Sequence, residues 1–144
     1  MYRRAGDRLE VFLAHPGGPY WVNKDSWTIP KGEYDDGDET PLDAARREFE
    51  EETGFAAAEP FLDLGEIRQP SGKIVRAWAF EGDCDPAALR SNTCTIEWPP
   101  RSGREIEIPE VDRGAWFSIE SARPKMFKGQ AALLDRLVEH LDGR

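Results

Sequence analysis

The sequence predicts a domain of the α+β or α/β class, and three observations carry that expectation. One helix has its start, buried stripe and stop all specified between Thr40 and Gly54. Short strand-like runs lie on both sides of it, and an amphipathic helix closes the chain. At 144 residues and 39% apolar, the chain is expected to form a single domain over 1–144 with a core of its own.

Thr40-Pro41, with Asp43 three residues after the threonine, reads as an N-cap with proline in the first turn. Gly54 follows Thr53 and can take the left-handed conformation that ends a helix. Between them Leu42, Ala45 and Phe49 recur at i, i+3 and i+7, which predicts a buried stripe.

Before this helix, Leu9 to Ala14 is an apolar run expected to be the first strand, broken by His15-Pro16-Gly17-Gly18-Pro19. A short segment, Trp27 to Pro30, leads into Lys31-Gly32. After the helix, Phe61 to Arg68 and Lys73 to Glu81 read as a hairpin that turns at Gln69-Pro70-Ser71-Gly72. Asp83 to Asn92 is loop or short helix, and strands are expected at Thr93 to Trp98, Glu105 to Ile108 and Ala115 to Ser118. Gln130 to Leu141 places Leu133, Leu134, Leu137, Val138 and Leu141 on one stripe of a terminal helix.

The most informative chemistry lies on the first helix. Glu48, Glu51 and Glu52 stand at i, i+3 and i+4, so three carboxylates share one face, and a like-charged i,i+4 pair costs about 0.2–0.5 kcal/mol in an isolated helix. A hard divalent cation with oxygen ligands, Mg2+ above all, suits such a cluster; a solvated acidic face is the plainer alternative. An EF-hand loop around Asp35 to Glu39 fails, because Gly32 and Tyr34 would occupy its first and third ligand positions.

From Gly32 to Phe55 the chain reads Gly-x6-Glu-x7-Arg-Glu-Phe-x-Glu-Glu-x-Gly-Phe. At these residues it resembles the Nudix hydrolase family, whose signature is Gly-x5-Glu-x7-Arg-Glu-U-x-Glu-Glu-x-Gly-U, with U bulky and apolar. Gly32, Glu39, Arg47, Glu48, Phe49, Glu51, Glu52, Gly54 and Phe55 fill the pattern. One extra residue before Glu39 departs from it, so either Asp38 is an insertion or it replaces the first Glu; the spacing of the helix carboxylates is untouched.

The resemblance implies a Nudix-type α/β/α sandwich with a mixed β-sheet and a catalytic loop-helix-loop. It implies Mg2+, with Mn2+ as a possible substitute, held by Glu48, Glu51, Glu52 and the carbonyl of Gly32. It also implies hydrolysis of a phosphoanhydride bond. Arg47 would orient a carboxylate, or alternatively pair with Glu51 at i+4. Lys31 is a candidate for a phosphate oxygen, and Trp27, Trp21 and Tyr34 for a base. Family members often place a further carboxylate outside the motif as ligand or general base. Glu105, Glu107 and Glu110 are the candidates here, with Glu110 first because it ends a strand beside a loop.

Trp27-x-x-Pro30-Lys31-Gly32 looks like the entry to the motif in diadenosine polyphosphate hydrolases, so a dinucleoside polyphosphate such as diadenosine tetraphosphate is the expected substrate. The Tyr that this subgroup often carries downstream is replaced by Ser71, Gly72 or Lys73. Pro70 matches ADP-ribose hydrolases of the family, although a turn explains it equally well. House-cleaning hydrolysis of nucleoside triphosphates, a non-catalytic nucleotide-binding module and diphosphate-ester isomerisation are the other readings.

Remaining features narrow the setting. A net charge of −9 disfavours long nucleic acid and is compatible with a small nucleotide escorted by metal. No apolar run is long enough to span a membrane and the start lacks a signal-peptide core, so a cytoplasmic monomer or homodimer is expected. Cys84 and Cys94 read as isolated reduced thiols, Trp78 and Trp116 as core, His15 as a turn residue and His140 as exposed.

Overall fold

A computed structural model describes residues 1–31 and 39–142 of the chain. Its central pairing joins strands far apart in sequence. Strand β2 (Arg8–Pro16) lies antiparallel between β1 (Tyr2–Ala5) and β7 (Val111–Ser118). Residues 11–15 of β2 are all buried, and for that reason the strand reads as a continuous apolar run, not an alternating one. Two further antiparallel pairs follow: β3 (Leu62–Arg68) with β4 (Ile74–Ala79), and β5 (Thr93–Glu97) with β6 (Glu105–Pro109). Parallel pairing is confined, among the described residues, to the single bridges Tyr2↔Glu81 and Trp27↔Met126.

Three α-helices stand among the described residues: α1 (Pro41–Thr53), the one-turn α2 (Ile119–Ala122) and α3 (Ala131–Asp142). The α1 caps follow the local sequence. Thr40 Oγ1 accepts from Asp43 N, and Gly54, at φ 80°, donates its N–H to Glu50 O. Helix α3 buries Leu133, Leu134, Leu137 and Leu141 with Leu64, Ile67 and Val75 in the main core. Helix α1 meets β4 and β7, with Phe49 edge-on to Phe80 at 5.2 Å.

Several sequence expectations change. The first strand of the chain is Tyr2–Ala5, which is too short and too polar to show a pattern. Strand β2 runs on through His15, so this residue is not in a turn; its ring is fully buried. The short segment Trp27 to Pro30 touches its neighbours through single bridges at Trp27 and Thr28. Strand β7 begins at Val111 rather than Ala115. The buried side of α1 comprises Ala44, Phe49, Glu52 and Thr53, while Leu42 and Ala45 are only half-buried. Trp78 and Trp116 are also half-buried, each with an arginine over its ring, Arg76 and Arg3 respectively.

Candidate active site

The carboxylates of α1 do not form one converging face. Arg47 Nη1 lies 3.2 Å from Glu48 and 3.1 Å from Glu51, which places a guanidinium between the two acids and offsets their repulsion. The same side chain reaches back to Glu39 through two parallel bonds, Nε to Oε2 at 2.8 Å and Nη2 to Oε1 at 2.9 Å. Both roles expected for Arg47 are therefore realised together. Glu39, which the one-residue insertion left without a clear role, is the acid that Arg47 grips.

Glu52 points the other way. It is only 4% exposed; Oε1 accepts from Lys31 N at 3.2 Å, and Oε2 is buried with no hydrogen-bond partner among the described residues. Burial pushes its carboxyl up to about 8, with the charges of Glu110 and Glu48 adding to the shift against the bond from Lys31. Glu48 is raised as well, by burial first, with Glu51 and Glu110 contributing and Arg47 opposing. Glu110 thus stands within electrostatic reach of both Glu48 and Glu52, although 58 residues or more separate it from them in sequence.

The backbone explains this meeting. Two carbonyls at the end of α1, those of Glu51 and Thr53, accept from Asn92 N at 2.7 Å and Arg90 N at 2.9 Å. Asn92 O in turn accepts from Glu110 N at 3.0 Å. The segment before β5 thereby ties the acidic helix to the residue preceding β7.

Lys31 is delivered by a second set of ties. Thr28 exchanges both backbone bonds with Ala14, at 2.8 and 2.9 Å, and the buried Gln130 donates to Thr28 Oγ1 and accepts from Ile29 N. Lys31 and Lys73 line the same cavity as Glu48, a recess of about 420 Å³ whose walls include Phe49, Phe61 and Phe80. Burial lowers the Lys31 ammonium, and the charge of Lys73 lowers it further, with Glu52 opposing. Neither lysine forms an ion pair among the described residues. Lys73 was legible in sequence only as an occupant of the missing Tyr position.

Trp27 requires correction as a stacking platform. It is 6% exposed, with His15 edge-on at 5.0 Å and Phe117 at 4.9 Å, and its Nε1 donates to Asp25. Its ring is core. Gly32 and Tyr34 lie outside the described residues. Glu105 and Glu107 are exposed on β6, and neither enters the environment of Glu48 or Glu52.

Among the described residues, no three carboxylate, imidazole or thiol side chains stand close enough to hold a metal ion unaided. The donors nevertheless fit a divalent cation. A buried carboxylate oxygen without a partner is costly, and Glu52 Oε2 with Glu48 and Glu110 nearby offers the hard oxygens that Mg2+ takes. Mg2+ is commonly held by one or two carboxylates, with waters and substrate phosphates completing its shell, so a closed cage of three acids is unnecessary.

A family model for the NUDIX domain matches residues 2–137. An uncharacterized 17.7 kDa protein in the e-segB intergenic region of Enterobacteria phage T4 is 33% identical over 114 residues, covering 78% of this chain and 68% of the relative. Among solved structures, an Ap4A hydrolase of C. elegans in a binary complex superposes with a TM-score of 0.69 at 21% identity, over 99% of this chain and 95% of the other. The NUDIX domain of Shewanella oneidensis NrtR, complexed with ADP ribose, has a TM-score of 0.66 at 15% identity, over 97% and 82%. At such identities the two structures establish a shared fold.

Proposed function

Because the chain belongs to the Nudix family, shares its α/β fold and is a pyrophosphohydrolase acting on acid anhydrides, we propose that it hydrolyses a nucleoside diphosphate linked to another moiety, a dinucleoside polyphosphate such as diadenosine tetraphosphate being preferred. The observation that carries this reading is the recess lined by Glu48, Lys31 and Lys73 together with the rings of Phe49, Phe61 and Phe80. The apolar part of the lining suits a base, and two ammonium groups that form no ion pair among the described residues suit several phosphates in a row.

A second aromatic surface supports a ligand with two bases. Trp21 stacks on Phe127 at 5.1 Å beside a shallow depression bordered by Gln69, Pro70 and Ser71, the turn that leads into Lys73. Base stacking on an aromatic side chain is worth ~1–3 kcal/mol. Trp21 therefore replaces Trp27 in the stacking role.

Glu48 and Glu52 would hold the divalent cation, Mg2+ or Mn2+, which when bound supplies charge neutralisation on the phosphoryl oxygens and a more acidic water. Glu110 takes the proton of the attacking water as an O–P bond forms and the anhydride P–O bond breaks. Arg47 holds Glu39 and Glu51 in place beside this group. Lys31 and Lys73 orient the phosphate chain.

The test compares kcat/KM for diadenosine tetraphosphate, ADP-ribose and a nucleoside triphosphate with Mg2+. A preference of at least about tenfold for the dinucleotide is expected if the second stacking contact acts in the transition state. A clear preference for ADP-ribose would overturn the substrate assignment.

A further inference from the structure

Strands β2 and β7 keep register from Glu10↔Ser118 to His15↔Arg113, and then the next pair is Pro16↔Val111. One step on β2 faces two on β7, so Asp112 is the extra residue of a bulge. Bulges bend a strand and re-aim neighbouring side chains. Here the neighbour is Glu110.

The bulge is pinned from inside the protein. His15 Nδ1 lies 2.8 Å from Asp112 Oδ1, and Nε2 lies 2.6 Å from Lys24 O. The ring is thus held at both nitrogens. Its faces are enclosed: the ring has no exposure and meets Trp27 at 5.0 Å. Among the described residues, the other ion-pair partner of Asp112 is Arg113, 3.7 Å away and half in solvent. The backbone of Glu110 is held at both ends, Gly17 N donating to its carbonyl at 3.0 Å and its own N–H donating to Asn92 O. Gly17 is required for that approach, since a Cβ there would sit 2.0 Å from Pro109 O.

We infer that His15 and Asp112 are a positioning pair, which fixes the β7 bulge so that the Glu110 carboxylate faces Glu48 and Glu52. The inference rests on the reading of Glu110 as the base. Neither His15 nor Asp112 touches the reacting atoms; both act through the direction of Glu110. A displacement of about 1 Å at a reacting group can cost up to about a hundredfold in rate.

The experiment is a double-mutant cycle on kcat and KM, combining Asp112→Ala with Glu110→Gln. Asp112→Ala alone is expected to lower kcat by about tenfold to a hundredfold with KM within about twofold, and Asp112→Asn, which keeps the shape and whose amide can still hydrogen-bond the ring nitrogen, should recover most of it. In the Glu110→Gln background Asp112→Ala should cause no further loss of kcat, because the group it aims is gone. Asp112→Ser leaves a polar side chain too short to reach the ring and repeats the cycle independently if the alanine variant folds poorly.

A merely structural role would instead lower kcat by the same factor in both backgrounds, and that result overturns the inference, as does unchanged kcat in Asp112→Ala. Full activity of Glu110→Gln alone would identify the base assignment as the failure and remove the inference with it.

Discussion

Arg47 grips Glu39 through two parallel hydrogen bonds of 2.8 and 2.9 Å, fastening the end of the motif loop to the middle of α1. A planar fork makes this contact, and its remaining nitrogen serves Glu48 and Glu51. Lysine carries the charge without the fork. Arg47→Lys is therefore expected to lower kcat by about tenfold to a hundredfold while shifting Tm little, because the pair is partly exposed. Steady-state kinetics beside a thermal melt would check this, and wild-type kcat in the lysine variant would show that the geometry of the grip is unimportant.

Glu52 predicts an unusual pH dependence of stability in the metal-free protein. Its carboxyl lies at about 8 in the folded chain against an ordinary value of 4.5, so the folded state binds more protons between these limits. The sign follows from linkage: the contribution of Glu52 to stability is fully present below 4.5 and is lost as pH rises through 8. Apparent Tm in EDTA should fall over that window, Glu52→Gln should flatten the slope, and Mg2+ at pH 8 should restore what ionisation removed. A Tm that is flat in EDTA would refute the placement of a costly charge at Glu52.

The two neighbouring glutamates should separate in their effects. Glu52 is buried and aimed inward, whereas Glu51 is exposed and held by Arg47. Glu52→Gln is expected to reduce kcat by roughly two to three orders of magnitude and Glu51→Gln by less, with both variants folded. Equal losses would indicate that Glu51 leaves Arg47 to ligate the cation, which metal titration of each variant would reveal.

Ca2+ should bind and yet support turnover poorly. Its oxygen bonds run about 2.3–2.6 Å against 2.0–2.1 Å for Mg2+, enough to misplace an attacking water. Thermal shift and assay should disagree for Ca2+ and agree for Mg2+ and Mn2+. Equal rates with Ca2+ and Mg2+, or undiminished activity in EDTA, would argue against the cation reading.

Trp27 and Lys73 exchange the roles that their sequence contexts suggest. Trp27→Ala removes a buried ring and should cost about 3–5 kcal/mol of stability, with little change in KM for whatever fraction folds. Lys73→Met should leave Tm nearly unchanged and raise KM several-fold more for diadenosine tetraphosphate than for ADP-ribose. A Trp27→Ala variant of normal stability and altered KM would restore the stacking role to Trp27.

Helix α1 was legible in the sequence because everything that defines it is local. Thr40 caps it, Gly54 stops it, and the spacing of Glu48, Glu51 and Glu52 is set by 3.6 residues per turn. The β3–β4 hairpin, turning at Gln69 to Gly72, and the leucine stripe of α3 rest on equally short-range signals. The direction of each carboxylate is a different matter. Arg47 divides Glu48 from Glu51, and Glu52 turns into the interior, where the backbone of Lys31 bonds it and the charge of Glu110 reaches it from elsewhere in the chain.

Glu110 stood among the candidates for its place at a strand end, but its approach to α1 depends on Asn92 and Gly17, whose bonds to it no local pattern encodes. His15 and Asp112 lie 97 residues apart, and Trp27 looked available because it stands just before the motif. Periodicity and capping act over a few residues and can be read from the chain. Burial and the meeting of charges depend on which distant strands pair, and only the tertiary structure decides that.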